Sequence, residues 1–487
     1  MKPPLRTEYQ TGRLSGTAPV LESALRNSAI ESPAVFAAGD IRRVTVHVPM
    51  RDGVRLATDL YLPPRLPSPA VAMRTPYGRA GPKVFGTLVA LAQRGYVVIS
   101  QDCRGTGDSE PESWDYYVYE SEDGVDLVEW VVRQEWFDGF LGAFGSSYIA
   151  QTQWCMAMHP RVTTFVPEVS GLGIAFGTAQ FHMFLNAHSR SVGKGADKVP
   201  MAYDELERQA LHETLSSGYF NEPLHRPFSE ALLSRYPRLQ ILPPSQAKRW
   251  LWEHYCSLPS PQRAQLIKDA LGVRNITTAD IEALPTIFGH QIWHDAHTIP
   301  HARPSELCRS IQAPPLMITG WYDWALNDAL ATWELMMRDA RELVRSRSRL
   351  IITPSAHNMP GYHEGTAAEH PELQHNHRVG NHVDLLLHWY SAVRQNSIDS
   401  WPTVIYYLMG ANEWYATSAW PPPEVRKLAL YLGLGGSLGL QAPRQPSDAD
   451  SYIYDPTDPT PTVGGSIVSY VYSPYMEIGR ASCRERV

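Results

Sequence analysis

The chain has 487 residues, a net charge of −7, a pI near 6.2, and is 43% hydrophobic and 19% charged. That balance excludes a disordered chain, and the lack of a basic excess argues against a nucleic-acid partner. A single core stops growing near roughly 250–300 residues, so two or more domains are expected.

Residues 1–40 show no clear period and read as an extended N-terminal arm. The runs 43–49 and 54–62 are rich in β-formers and flank Arg51-Asp52-Gly53, which predicts a hairpin. A short strand is expected over 71–75 and a helix over 85–93. The unbroken apolar run 96–100 suits a parallel strand covered on both faces. Val125, Val128 and Val132 share a helix face, 141–144 reads as a strand and 147–158 as a helix. Strand and helix alternate, as in an α/β sheet.

The alternation stops near 170 and resumes with a strand at 315–319, a helix at 325–339, a strand at 348–352 and a helix at 385–393. Between them the pattern is mostly helical. Residues 171–302 therefore read as a helical cap inserted between core halves 41–170 and 303–400, over one edge of the sheet, where it can cover a pocket. From 401, short β-like runs at 403–408, 427–432 and 451–454 lie among Gly and Pro, and predict a C-terminal β domain over 401–476. The 40 prolines, about 8% against an average of roughly 5%, suit ordered loops.

The strongest local signal is Gly142-Ala143-Phe144-Gly145-Ser146-Ser147-Tyr148, between a predicted strand and a predicted helix. A serine at the tip of such a turn stands at the carboxyl end of the sheet with a helix N-terminus behind it, and the turn is tight enough to demand small neighbours. Against the usual Gly-x-Ser-x-Gly pattern, Ile149 replaces the second glycine. A Gly-Ser turn that only caps a helix is the alternative reading. Ser146 is a rival nucleophile, but Gly145 two residues ahead puts Ser147 at the tip.

A hydroxyl needs a base, and the base an orienting carboxylate. In α/β-hydrolases these follow in the order Ser, acid, His. Asp323 comes just after the strand leading to Gly320, and His357 follows the next strand in a Pro-Ser-Ala-His loop. Taken singly, Asp323 could be the N-cap of helix 325–339 and His357 a solvated loop histidine. Their joint placement predicts a serine hydrolase that cleaves an ester or amide through an acyl-enzyme. An oxyanion needs preorganised donors. One is the Tyr148 N–H, and the other is expected from the loop Arg74-Thr75-Pro76-Tyr77-Gly78. On the residues alone, Tyr77 reads first as an aromatic packed in a turn.

The runs Val48-Pro49-Met50-Arg51-Asp52-Gly53-Val54-Arg55-Leu56, Arg74-Thr75-Pro76-Tyr77, Asp102-Cys103-Arg104-Gly105-Thr106-Gly107-Asp108-Ser109, Phe144-Gly145-Ser146-Ser147-Tyr148 and Gly320-Trp321-Tyr322-Asp323 appear in this order. Together they resemble the cocaine-esterase and X-Pro dipeptidyl-peptidase (CocE/NonD-type, S15-like) serine hydrolase family, over about residues 41–475. The resemblance implies an α/β-hydrolase core, a helical cap and a C-terminal jelly roll. It puts Ser147 in the nucleophile's place, Asp323 in the acid's, His357 in the base's, and Tyr77 with the Tyr148 amide in the oxyanion hole. It also leaves X-Pro dipeptidyl-peptidase activity as an alternative. Two departures concern the pocket. Ser355-Ala356 fill a gap where the family often has an aromatic, and Trp324 stands where many members carry a smaller residue. Trp324 and the cap aromatics Phe181, Phe184 and Trp293 are the candidate pocket walls.

A metal hydrolase is the first rival, because His357, His363, His370, His375, His377, His382 and His388 crowd one segment and His290 and His294 stand four apart. Gln291 occupies the position where a zincin needs Glu, so neither metal nor cofactor is expected. A dinucleotide site at Gly105-Thr106-Gly107-Asp108-Ser109-Glu110 is rejected, since Glu110 would repel a pyrophosphate. The acidic run Glu120, Glu122, Asp123, Asp126 and Glu129 reads as a solvated helix face. A third rival is a binding protein that kept the fold and lost catalysis, against which the intact Ser, Asp and His argue.

The expected partner is a small ester or amide, or a short peptide; self-association into a homo-oligomer stays open. No signal-peptide h-region occurs in residues 1–16 and no apolar run reaches roughly 18 residues, so no membrane partner is expected. Five scattered cysteines (103, 155, 256, 308 and 483), with no C-x-x-C pair, point to a reducing, cytoplasmic setting. Residues 477–487 are Arg-rich and resemble a translated adapter, so the β domain reads as truncated before a full jelly roll is built.

Overall fold

The computed structural model describes residues 12–14, 25, 30–80, 82–111, 119–172, 302–323, 325–355, 357, 382–411, 413–433 and 437–442. Its centre is a sheet of 11 strands in the order β1-β11-β10-β9-β8-β7-β6-β4-β5-β3-β2. In chain order these are β1 (Gly12–Arg13), β2 (Arg42–Pro49), β3 (Arg55–Leu62), β4 (Ser68–Thr75), β5 (Val97–Asp102), β6 (Phe137–Ser146), β7 (Thr164–Glu168), β8 (Leu316–Gly320), β9 (Arg349–Thr353), β10 (Val404–Leu408) and β11 (Glu413–Thr417). The seven strands from β10 to β5 pair in parallel, and antiparallel strands finish both ends.

Burial explains the pattern. The central strands β5, β7, β8 and β9 are buried at every position, as parallel strands covered on both faces must be. On one face, α1 (Pro82–Gln93) and α7 (His382–Arg394) lay Leu88, Leu91, Leu386, Trp389 and Tyr390 against Val71, Val98, Val166 and Ile351. On the other, α2 (Glu120–Val131), α3 (Tyr148–Met156) and α5 (Leu326–Asp339) bury Val128, Trp154, Trp333 and Met336 against Ala72, Phe165 and Leu350. Two shorter helices, α4 (Ala302–Ser310) and α6 (Glu342–Arg347), complete the described part of the core.

Three findings differ from the sequence reading. β7 escaped notice because Pro167 interrupts it, and a proline demotes a run as a strand; here Pro167 lies opposite Gly145 in a central parallel pair. The run 403–408, expected to open a separate β domain, is β10, which pairs in parallel with β9 and carries β11 on its far side. The core sheet therefore runs past 401. The N-terminal arm is also tied down, since β1 pairs with β11 and the Leu14 N–H donates to the Trp414 carbonyl over 2.9 Å. Downstream, β12 (Tyr431–Gly433) and β13 (Ser437–Gly439) form a two-stranded sheet of their own. Cap residues 173–301 and the tail from 443 lie outside the described residues. No helix among the described residues is long and apolar enough to cross a membrane.

Trp389 stitches α7 to the sheet. It is fully buried, and its indole N–H donates to Thr164 Oγ1 over 2.8 Å. Trp389→Ala is expected to cost about 3–5 kcal/mol of unfolding free energy, measured by urea titration; a loss under about 1 kcal/mol would contradict this packing.

Candidate active site

The chain order of the sheet decides where a site can form. From β4 the chain turns to β5 on one side and then returns past β4 to β6 on the other. Such a reversal leaves a crevice beyond the carboxyl ends of the two diverging strands. Thr75-Pro76-Tyr77 leaves β4 at that crevice, and Ser146-Ser147-Tyr148 leaves β6.

Ser147 sits between β6 and α3 with φ 58° and ψ −124°, a backbone that non-glycine residues rarely adopt. The neighbours dictate it. Gly145 has φ 133°, and a Cβ there would lie 2.3 Å from Ile149 Cγ2. The missing second glycine of the motif is thus compensated, because Ile149 occupies space that Gly145 leaves free. The Ser147 N–H donates to the Glu168 carbonyl over 2.9 Å. Gln153 ties the strand behind it, donating to the Gly145 carbonyl over 2.9 Å and accepting from the Val166 N–H over 3.0 Å.

His357 Nε2 lies 2.8 Å from Ser147 Oγ, and its Nδ1 lies 2.8 Å from Asp323 Oδ1. It is Ser147, not Ser146, that meets the imidazole. Asp323 is fully buried, and its Oδ1 also accepts the Ala325 N–H over 2.9 Å. The helix after it is capped by Ala325, not by Asp323, so the capping role weighed for Asp323 is not the one it has. The loops carrying the two residues are joined backbone to backbone. Trp321 N–H donates to the Thr353 carbonyl over 2.9 Å and Tyr322 N–H to the Ser355 carbonyl over 3.0 Å. The Trp321 indole donates to the Tyr407 carbonyl over 2.6 Å, which anchors the acid's turn to β10.

Tyr77 does not play the packing role. The residue is 43% exposed, while its hydroxyl is hydrogen-bonded to Ser147 and accepts the Tyr148 N–H. Desolvation raises the phenol's pKa well above 10, against the pull of those two bonds, so the group stays protonated at neutral pH and can donate. The Tyr148 ring is fully buried, and its hydroxyl donates to Glu120 Oε1 over 2.7 Å. Glu120 Oε2 takes Arg74 Nη1 at 2.7 Å, and Arg74 Nε reaches Gln101 Oε1 at 2.9 Å. Arg104 bridges Asp123 at 2.6 Å and Asp52 at 2.7 Å.

The acidic run on α2 is therefore not a uniformly solvated face. Glu120 and Asp123 point inward as counter-ions to buried arginines, while Asp126 holds the exposed Arg51 at 2.8 Å. An arginine in an apolar strand was the available signal, since the guanidinium at Arg74 requires a buried carboxylate partner.

The glycine run 105–107 likewise has a structural purpose. It wraps Asp102, and a Cβ on Gly107 would lie 2.1 Å from Asp102 Oδ2. Asp102 in turn accepts the Arg79 N–H over 2.6 Å and pairs with the Arg79 side chain, which also reaches Asp59 at 3.1 Å and Asp108 at 2.7 Å. This pins the loop that carries Tyr77.

No thiol competes with Ser147 among the described cysteines. Burial pushes Cys155 up to about 11, Cys308 up to about 12, and Cys103 well above its ordinary value. Among the described residues no cluster of His, Cys, Asp and Glu is arranged to hold a metal ion. Trp324, Phe181, Phe184 and Trp293, the expected pocket walls, lie outside the described residues, as do His290, His294, His363, His370, His375 and His377.

The family model for X-Pro dipeptidyl-peptidase (S15 family) matches residues 52–211, which span the Tyr77 loop, the Asp102 turn and the Ser147 elbow. Cocaine esterase of Rhodococcus sp. (strain MB1 Bresler) is 27% identical over 453 residues, covering 87% of this chain and 69% of that protein. The chain is a serine hydrolase similar to these enzymes. The fold has solved counterparts. An aminopeptidase from a marine sediment Thaumarchaeota archaeon superposes with a TM-score of 0.54 at 18% identity, covering 89% of this chain and 68% of its own. An α-amino acid ester hydrolase gives 0.50 at 20% identity with the same coverage. At such identities the likeness carries the α/β-hydrolase fold alone.

Gly145→Ala is expected to lose about 1–3 kcal/mol of stability, because it forces both an unfavourable φ and a clash with Ile149. Adding Ile149→Ala to the same chain should recover part of that loss, the clash being relieved and the φ strain kept. Thermal melts of the single and double variants check it.

Proposed function

We propose that this serine hydrolase cleaves a carboxylic ester through an acyl-enzyme on Ser147. The observation that carries the reading is the unbroken line from Asp323 through His357 to Ser147 Oγ, with 2.8 Å at each step. Asp323 holds the imidazole with Nδ1 protonated, which leaves the Nε2 lone pair facing the hydroxyl. As Ser147 Oγ bonds to the carbonyl carbon, its proton passes to His357 Nε2. The oxyanion that forms accepts hydrogen bonds from the Tyr77 hydroxyl and the Tyr148 N–H, both of which lie at Ser147. The carbon–oxygen bond to the leaving alcohol then breaks, and His357 returns the proton to it. Water repeats the sequence on the acyl-enzyme, giving up a proton to His357, and the acid departs as Ser147 regains its own.

An ester is preferred over an amide because the relative matched along 87% of the chain is an esterase. A second reading, release of X-Pro dipeptides, is favoured by the S15 family model across residues 52–211. Both use the same residues. A panel of p-nitrophenyl esters with Ala-Pro and Gly-Pro anilides separates them, and faster turnover of the anilides would overturn the ester assignment.

Ser147→Ala is expected to lower kcat by roughly 10⁴-fold or more while leaving the melting temperature close to that of the parent. Labelling by a fluorophosphonate, followed by peptide mass analysis, should map to Ser147; label on Ser146, or a fully active Ser147→Ala, would refute the assignment. Tyr77→Phe is expected to reduce kcat by about 10²–10³-fold with little change in KM, since one oxyanion donor is lost. An unchanged kcat would return Tyr77 to a packing role.

A further inference from the structure

A second carboxylate–imidazole pair lies behind the elbow and takes no part in the chemistry above. Glu168, the last residue of β7, is fully buried, and its Oε1 meets Nε2 of His382, the first residue of α7, in a very short contact. His382 is buried too, with its ring beside Phe144 at a centroid distance of 6.4 Å. Among the described residues, Glu168 Oε2 has no hydrogen-bond partner. Stability is a poor reason to keep such a pair, since well-packed apolar replacements of buried ion pairs are often neutral or stabilising.

The backbone around Glu168 supplies a better reason. Its carbonyl is the acceptor for the Ser147 N–H at 2.9 Å, the bond that holds Ser147 at φ 58°. The next residue, Val169, has φ 48°, an outlier for a β-branched residue, and its N–H donates to the Ile318 carbonyl over 2.7 Å. Two strained residues thus flank one peptide carbonyl, and strain of this kind persists only where the surroundings over-determine it. Beyond Val169 every residue is tied in turn. Ser170 Oγ accepts from Gln151 of α3 over 2.5 Å, Gly171 N–H donates to Asp328 Oδ2 over 2.9 Å, and Leu172 N–H donates to Thr332 Oγ1 over 2.8 Å. Asp328 and Thr332 lie on α5, the helix that Asp323 precedes. Residues 168–172 therefore strap the elbow to the helix behind the acid, and among the described residues His382 is the side chain hydrogen-bonded to the Glu168 carboxylate, where the strap touches Ser147.

We propose that Glu168 and His382 are positioning residues for Ser147, holding the carbonyl that fixes the elbow rather than supporting the fold as a whole. The proposal rests on the reading of Ser147 as nucleophile. The test compares the phosphonylation rate and ester kinetics of the parent with those of the double variant Glu168→Met, His382→Phe and of His382→Gln. The double variant replaces the pair by apolar groups of similar size and keeps a ring beside Phe144. It is expected to melt at or above the parent temperature, yet to phosphonylate about 10²-fold more slowly, with kcat lowered alike and KM within a factor of about two. His382→Gln, whose amide can donate to Glu168 from near the Nε2 position, should stay within about five-fold of the parent rate. Where the double variant does not fold, Glu168→Met alone takes its place. A wild-type phosphonylation rate in the apolar variant, or a His382→Gln variant as slow as it, overturns the proposal. Failure of the parent to label at Ser147 would instead sink the nucleophile assignment, so the two failures are distinct.

Discussion

The left-handed backbone of Ser147 is the constraint on which the rest of the site depends. Such a conformation costs on the order of 1–3 kcal/mol, and it is what turns the hydroxyl out of the sheet toward His357 at 2.8 Å. Four groups share the work of holding it: the bare Cα of Gly145, the Ile149 side chain lying over it, the Glu168 carbonyl and the Gln153 amide. None of them approaches the reacting atoms as a chemical participant. Their effect is to have the conformational cost met during folding, so that no reorganisation remains when a substrate arrives.

The surroundings of Tyr77 and Tyr148, the proposed oxyanion donors, are organised differently, by charge. Arg74 is wholly buried, a placement that burial alone would forbid, and Glu120 and Asp123 beside it keep it charged. Each carboxylate then serves a second group, Glu120 the Tyr148 hydroxyl and Asp123 Arg104, which passes the connection on to Asp52 in the β2–β3 turn. The Arg79 cluster does the same for the loop bearing Tyr77. Runs of sequence far apart in the chain, around 51–55, 74–77 and 102–110, are thus parts of one scaffold that fixes the surroundings of Tyr77 and Tyr148, the two donors of the proposed mechanism. Each arginine has at least two carboxylates beside it, Glu120 and Asp123 at Arg74, Asp52 and Asp123 at Arg104, and Asp59, Asp102 and Asp108 at Arg79, so losing one carboxylate weakens the compensation of a guanidinium without leaving it alone.

The legible part of the fold was the part governed by local rules. Apolar runs and helical spacing located β4, β5, β6, β8 and β9 and the helices α1, α2, α3, α5 and α7, because parallel strands and amphipathic helices write their burial into consecutive residues. Ser147, Asp323 and His357 were legible for a related reason: each follows a strand, so chain order and strand position together fix where the side chain emerges. What could not be read was set by distant partners. Pro167 hid β7, whose strand character comes from its neighbours β6 and β8. β10 looked like the start of a new domain because nothing in 404–408 says that its partner is β9. Glu120 and Asp123 looked solvated because their counter-ions are on β4 and in the loop after β5.

Two histidines among the described residues meet a buried carboxylate, and they differ in what the rest of the ring faces. His357 presents one nitrogen to Asp323 and the other to Ser147 Oγ, so the carboxylate's charge is transmitted to a hydroxyl that can react. His382 presents Nε2 to Glu168 and packs its ring against Phe144, with helix α7 running on behind it. In the proposed mechanism the first pair activates a nucleophile, and in the proposed clamp the second fixes a strand end. What separates the two is that the second nitrogen of His357 meets a hydroxyl, whereas the ring of His382 packs beside Phe144. The sheet makes that choice. His357 rides on the loop after β9, at the carboxyl edge where the crevice lies, whereas His382 starts the helix that covers the sheet's face. A site at the strand ends and a clamp beneath it are therefore two consequences of one topology.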